Sequence, residues 1–280
     1  MKGTIVPVDI ETGKIVAGVT MQDEKDRRRA REYWERQNAK VLRRTDHGPL
    51  GQFYMTACRD SQFSELMPQD TARLIYTASF MGYDNILKLN ERQNMTVEDL
   101  ENILQLSKST FTRFWAKVKG QFVFEQEDGS IIVRDCFFRG KQKAIHERLT
   151  KVFIQKIQAL YRSTPVSKHR YLGYIFQLLS YVNVQYNVLC QNPLETELDQ
   201  VSLITIRGFC RMIGYNESQV SRLKKVYSDI VFQCDGELRH FCAFVDCGRK
   251  TDDRFVIVNP RVFYAGDCFE QVEVLGLFFK

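Results

Sequence analysis

Two stretches of this chain repeat one another. "LIYTASFMGYDN" (Leu74 to Asn85) aligns without a gap to "LGYIFQLLSYVN" (Leu172 to Asn183), pairing Tyr76 with Tyr174, Tyr83 with Tyr181 and Asn85 with Asn183 at a constant offset of 98 (174 − 76). Similarity at one fixed offset means that a supersecondary unit recurs, so two related halves are expected. A chain of 280 residues with 44% hydrophobic content has enough apolar side chains for both.

Each copy is followed by the same order of signals. After the first, in which Ala72, Leu74, Ile75, Ala78 and Met81 form a helical stripe, Thr96 can cap a helix carrying Val97, Leu100, Ile103 and Leu104 at helical spacing, with Asp99 completing a capping box. Gln105-Leu106-Ser107 breaks it, and Ser107 can start a second helix through Lys119. Thr110, Phe111, Phe114 and Val118 then point inward while Lys108, Ser109, Thr112, Arg113 and Lys117 stay outside. Strands around Phe122 to Phe124 and Ile131 to Val133, joined at Asp128-Gly129, form a hairpin. Helix, tight turn and helix is the arrangement that lays its second helix in the DNA major groove, and the hairpin beside it is the expected wing.

After the second copy, Leu203, Ile206, Phe209, Cys210 and Ile213 give a stripe that Gly214 is placed to end. Asn216 can cap a helix from Glu217 to Tyr227, with Val220, Leu223 and Val226 inward and Ser218, Gln219, Ser221, Arg222 and Lys225 outside. "DIVFQ", "HFCAFVD" and "RFVIVNP" then supply a longer wing. Phe263-Tyr264 stands one residue before Gly266, as Phe137-Phe138 stands one residue before Gly140.

On these residues each half resembles a winged-helix domain, and "IVNPRVFYAG" after the second hairpin is similar to the close of winged-helix replication and regulatory proteins of bacterial plasmids and phages. The likeness covers most of Gln69 to Gly266 as architecture and only short stretches as motif. It implies duplex DNA binding at an origin or an operator. Two features depart from it: the N-terminal segment has no counterpart in the pattern, and Glu217 places an acid where phosphate or a cytosine amino group would lie.

The expected fold is therefore α+β and mainly helical: two winged helix-turn-helix modules, 69–143 and 171–280, joined by a long helix and linker over 144–170. Residues 1–68 add a β-hairpin (Thr4 to Thr20, turning at Gly13) and a basic helix, Asp23 to Arg44, with nine Lys or Arg against five Asp or Glu. In the joining helix, Ile145, Leu149, Val152, Phe153, Ile157 and Leu160 make a stripe that can pack on its own chain or pair with a second copy as a homodimer. "STPVSKHR" is the expected linker.

Other classes find little support in the residues. The eight cysteines include no Cys-x-x-Cys pair, which fits a reducing cytoplasm, and no apolar run is long enough for a signal or a membrane span. "ETGK" lacks the upstream glycine of a phosphate loop, and His47, His146, His169 and His240 stand apart. Cys234, His240, Cys242 and Cys247 offer zinc-binding atoms at a spacing unlike that of structural zinc. No enzyme activity, metal or cofactor is expected. The expected partner is double-stranded DNA, read by the two second helices and held at its phosphates by Arg27-Arg28-Arg29, Arg139, Lys141 and Lys143. The alternative is a winged-helix module that binds another protein as an inhibitor or adaptor.

Overall fold

In the computed structural model the described residues are 50–57, 63–133, 136–139, 148–246, 254–266 and 273–280, all within the unit His47–Lys280. The expected N-terminal hairpin and basic helix, and Lys141 and Lys143, lie outside them. The first half runs β1 (Phe53–Ala57), α1 (Pro68–Ala78), a small hairpin of β2 (Lys88–Asn90) and β3 (Gln93–Asn94), α2 (Val97–Leu104), α3 (Lys108–Val118), a hairpin of β4 (Val123–Glu125) and β5 (Ile131–Val133), and β6 (Phe137–Phe138). The second runs β7 (Leu149–Phe153), α4 (Ile154–Ser163), α5 (His169–Gln177), α6 (Ile206–Met212) and α7 (Val220–Ser228). It continues through β8 (Val231–Cys234), β9 (Glu237–His240), β10 (Cys242–Asp246), β11 (Arg254–Val258) and β12 (Phe263–Tyr264). The architecture is α+β with small antiparallel sheets.

Two strands of unlike sequence, FYMTA in β1 and LTKVF in β7, share one alternation of half-buried and buried positions and form the antiparallel centre of a four-stranded sheet. Its order is β12-β7-β1-β6. Met55 faces Lys151 at the middle, and the pairs Phe53 with Phe153 and Ala57 with Leu149 lie symmetrically about it. The flanking strands keep the same register: Phe137 opposes Thr56 and Phe138 opposes Met55, as Phe263 opposes Val152 and Tyr264 opposes Lys151. The two aromatic pairs noted before Gly140 and Gly266 are thus equivalent edges of one two-fold sheet, and the halves share this sheet rather than standing as separable domains.

The repeated helices α1 and α5 also pack on each other. A Cβ added to Gly173 in α5 would lie 1.6 Å from the Pro68 carbonyl oxygen, so only glycine permits this approach. The expected inward residues of α1, from Ala72 to Met81, are fully buried.

The helix pairs match residue for residue at an offset of 109 (214 − 105). Thr96 caps α2, with the reciprocal bond from Asp99, and Thr205 caps α6. Gln105 and Gly214 take the left-handed conformation that ends each first helix, at φ 53° and 64°. Ser107 and Asn216 begin the second. Asn216 accepts from the Ser218 backbone N–H, whereas the Ser107 hydroxyl bonds Thr110 Oγ1 instead of the backbone. Phe114 and Val118 in α3 correspond to Leu223 and Tyr227 in α7, all buried.

The repeat drifts beyond the helices. Asn85 and Asn187, at φ 62° and 52°, each pass a carbonyl to the closing strand, accepting from Val133 and Val258 at 2.9 and 3.0 Å. The structural mate of Asn85 is therefore Asn187, not Asn183, which is buried and instead holds the carbonyls of Pro193 and Glu195 through its amide. By the same bonds β5 corresponds to β11, since Ile86 bridges Ile132 as Val188 bridges Ile257. The counterpart of the β4–β5 hairpin is the β10–β11 pair, and the β8–β9 hairpin has no counterpart among the described residues of the first half.

Two expectations need correction. The joining helix begins only at Ile154: Leu149–Phe153 is a strand, because its alternating pattern satisfies β1 as well as the helical spacing would satisfy a bundle. "STPVSKHR" is no loose linker, since Thr164 and His169 are buried and a 3₁₀ turn at Val166–Lys168 leads directly into α5.

Candidate nucleic-acid interface

The helical period that buries Phe111, Phe114 and Val118 turns the opposite face of α3 outward, and Lys108, Ser109, Thr112, Arg113 and Lys117 are all exposed there. Thr112 Oγ1 donates to the Lys108 carbonyl at 2.9 Å and Arg113 Nε to the Ser109 carbonyl at 3.3 Å, leaving most guanidinium donors of Arg113 to solvent. In the second half Ser218, Gln219, Ser221, Arg222 and Lys225 are exposed as well. Ser218 and Gln219 lie in a 3₁₀ turn, Glu217–Gln219, that precedes α7. Arg113 and Arg222 occupy equivalent positions, while Lys108 corresponds to Glu217, whose carboxylate lies 3.9 Å from Arg211.

Two of the expected cations carry internal work. Lys117 Nζ lies 2.9 Å from Asp70 Oδ2, and Arg73 NH1 lies 2.6 Å from the other oxygen of the same buried carboxylate, tying α3 to α1. Lys117 remains 44% exposed and so keeps donors for a ligand. Arg139 lies 4.7 Å over the Tyr83 ring and donates to the Met81 carbonyl and to Gln52 Oε1. Its counterpart in role is Arg148, which donates to the carbonyls of Leu179, Ser180 and Val182. Arg139 thus shapes the chain after α1, and its half-burial leaves it a smaller outward part than the sequence suggests.

The pattern did not disclose what lies between the two outer faces. A cleft of about 160 Å³ joins Thr110, Arg113 and Lys117 of α3 to Gln69, Asp70 and Arg73 of α1. Across α1, a second cleft of about 270 Å³ is lined by Met67, Pro68, Gln69, Arg73, Val166, Ser167, Arg170 and Tyr174. Arg170 donates to Tyr171 Oη at 2.9 Å, and this bond, ahead of the nearby tyrosines Tyr174 and Tyr215, raises its pKa. Burial first, and then Tyr171, raises the Tyr215 phenol, which Arg222 and Arg170 pull the other way. Arg113, Lys117, Arg73 and Arg170 therefore line two adjoining clefts, and Arg170 and Arg222 both act on Tyr215. The only sequence signal for this trough was the repeat itself, since related helices in one chain tend to pair.

Under the trough lies a polar core. Tyr161 stacks on Tyr76 at 4.0 Å and meets the His169 ring at a tilt, 4.1 Å away, and burial pushes its phenol well up. His169 Nε2 lies 2.9 Å from the Thr164 carbonyl, and burial lowers its pKa, keeping the ring neutral. Cys234 and Cys242 are buried on β8 and β10, with thiols raised by burial, and Cys247 lies outside the described residues. Among the described residues no helix is long and apolar enough to cross a membrane.

No protein-family model, curated protein or solved structure matches this chain. The class that fold and site define is an α+β protein of two internally related halves, each presenting a cationic second helix.

Proposed function

We propose that the chain binds double-stranded DNA through two winged helix-turn-helix modules, α2–α3 with the β4–β5 wing and α6–α7 with the β10–β11 wing. It would act in the cytoplasm as a transcription regulator or replication initiator of a phage or plasmid, with no chemistry of its own. The observation that carries the reading is the equivalence of Arg113 and Arg222, exposed at the same position of two corresponding helices, with Arg73, Lys117 and Arg170 lining the clefts beside the first. Base-edge contacts fall to Lys108, Ser109, Thr112 and Arg113, and to Ser218, Gln219, Ser221, Arg222 and Lys225; phosphate contacts supply affinity. The mobile-element role rests on the resemblance of "IVNPRVFYAG" alone.

Binding to random duplex DNA at two salt concentrations, followed by selection for a preferred sequence, tests the reading. The expected result is a steep fall with salt and an enriched site. Absence of binding at low salt overturns it in favour of a protein partner. The exposed Val274, Leu277 and Phe278, at 64%, 65% and 47%, favour that second reading.

A further inference from the structure

We infer that the trough between α1 and α5 seats the DNA sugar–phosphate backbone midway between α3 and α7, with Arg170, Ser167 and Gln69 as its contacts. The inference rests on the duplex-binding reading and adds to it a third contact region that reads no bases. The eight residues lining the larger cleft include two arginines, Arg73 and Arg170, and no carboxylate. Together the two clefts present four cations, Arg73, Arg113, Lys117 and Arg170, against the single carboxylate of Asp70, which Arg73 and Lys117 already hold from both sides. Arg73 fixes the floor: its side chain is 8% exposed, and its Nε has no hydrogen-bond partner.

The walls suit a nucleotide backbone better than an acidic peptide. Met67 and Val166, 52% and 50% exposed, give apolar surface of the kind a deoxyribose face covers, beside the hydroxyl, amide and guanidinium groups that an anionic oxygen requires. The clefts share Gln69 and Arg73, so the Arg113 face of α3 adjoins Arg170, and Arg170 and Arg222 both act electrostatically on Tyr215 before α7. A path of cations joining two candidate base-reading helices fits a linear polyanion that continues from one to the other.

The test uses the full chain carrying Arg170→Gln and, separately, Ser167→Glu, with thermal unfolding as the check on folding. Arg170→Gln should weaken binding to selected and random duplexes by the same factor and lower the slope of log affinity against log salt by about 1. Ser167→Glu should weaken both as well. A duplex with neutral methylphosphonates midway between the half-sites should weaken the wild type and leave Arg170→Gln unaffected. If the wild type shows a steep salt slope and Arg170→Gln keeps it, the trough is not a backbone seat while the duplex reading stands. If the wild type binds no duplex and an acidic polypeptide competes for the trough, both fall.

Discussion

The two halves share a backbone plan and differ in what has been built onto it. The first closes with the least chain: five residues lead from Val118 at the end of α3 to Val123 in β4. The second takes fifteen from Tyr227 to Cys242, and the extra ten are the β8–β9 hairpin, Val231 to His240. That hairpin packs on α4. Lys156, a buried residue of α4, pairs with Asp235 in the turn, which also holds Arg261, and Ser163 Oγ donates to the Val231 carbonyl at 2.9 Å. The strand register and the pairing of α2 with α3 and α6 with α7, by contrast, persist in both halves. Duplication has been kept where the halves pair with one another and where each offers its second helix. Additions have gathered on the flank of one half alone.

The sharpest break in the symmetry is at the helix seam, where Ile75 in the first half corresponds to Gly173 in the second. Gly173→Ala should cost about 3 kcal/mol or more, because the new methyl meets backbone rather than a movable side chain. Chemical denaturation followed by two probes, one in each half, should show both signals lost together; separate transitions would mean that the halves are independent after all.

The polar ties between helices come next. In the first half an acid at the start of α1, Asp70, holds Lys117 of α3; in the second a base before α5, Lys168, lies 3.3 Å from Asp229 after α7. The polarity is reversed and so is the burial, with Asp70 5% and Asp229 50% exposed at the side chain. Asp70→Ala should cost about 3 kcal/mol, because it leaves Arg73 buried without its carboxylate. Asp229→Ala should cost no more than about 0.5 kcal/mol. Equal losses would erase the distinction.

For binding, Arg113→Ala and Arg222→Ala should each weaken a selected duplex by roughly tenfold, about 1.4 kcal/mol, and relax preference in different half-sites. The double variant should keep the fold. If only Arg113→Ala matters, the second helix, which begins with Glu217 where the first has Lys108, has taken another role.

The smallest effect concerns pH. His169 stands where the first half has Thr71, so this titration belongs to one half only. Its folded pKa is lowered, so its contribution is complete above the ordinary histidine value near 6.5 and is lost as pH falls towards the folded value. His169→Gln should flatten the stability profile below about pH 6.5, as measured by urea unfolding across that range.

The local signals in the sequence were strong where a side chain must meet its own backbone. Thr96 with Asp99 and Gly214 mark helix ends because capping is a contact within a few residues, and these fell as read, whereas Asn216 caps a 3₁₀ turn and α7 starts three residues later than expected, at Val220. Exposure of the proposed contacts followed from helical period alone. What the pattern missed depends on partners far along the chain. Leu149 to Phe153 fits a helix and a strand equally, and only β1, about a hundred residues earlier, decides. The drift of the repeat from 98 to 109 hid the Asn85–Asn187 match, because insertions fall between the copies. The trough was invisible for the same reason: Arg73 and Arg170 meet through helix packing that no local rule encodes.

The central β1–β7 pair also sets an order of events in synthesis. Phe53 leaves the ribosome long before its partner Phe153, and β7 in turn waits for Phe263 and Tyr264 to cover its other side. During that interval β1 offers an uncovered edge, and the first half, though complete in helices, has no finished sheet to rest on. Loop closure over such separations is slow relative to helix formation, so the half that is made first must wait for the half that is made last.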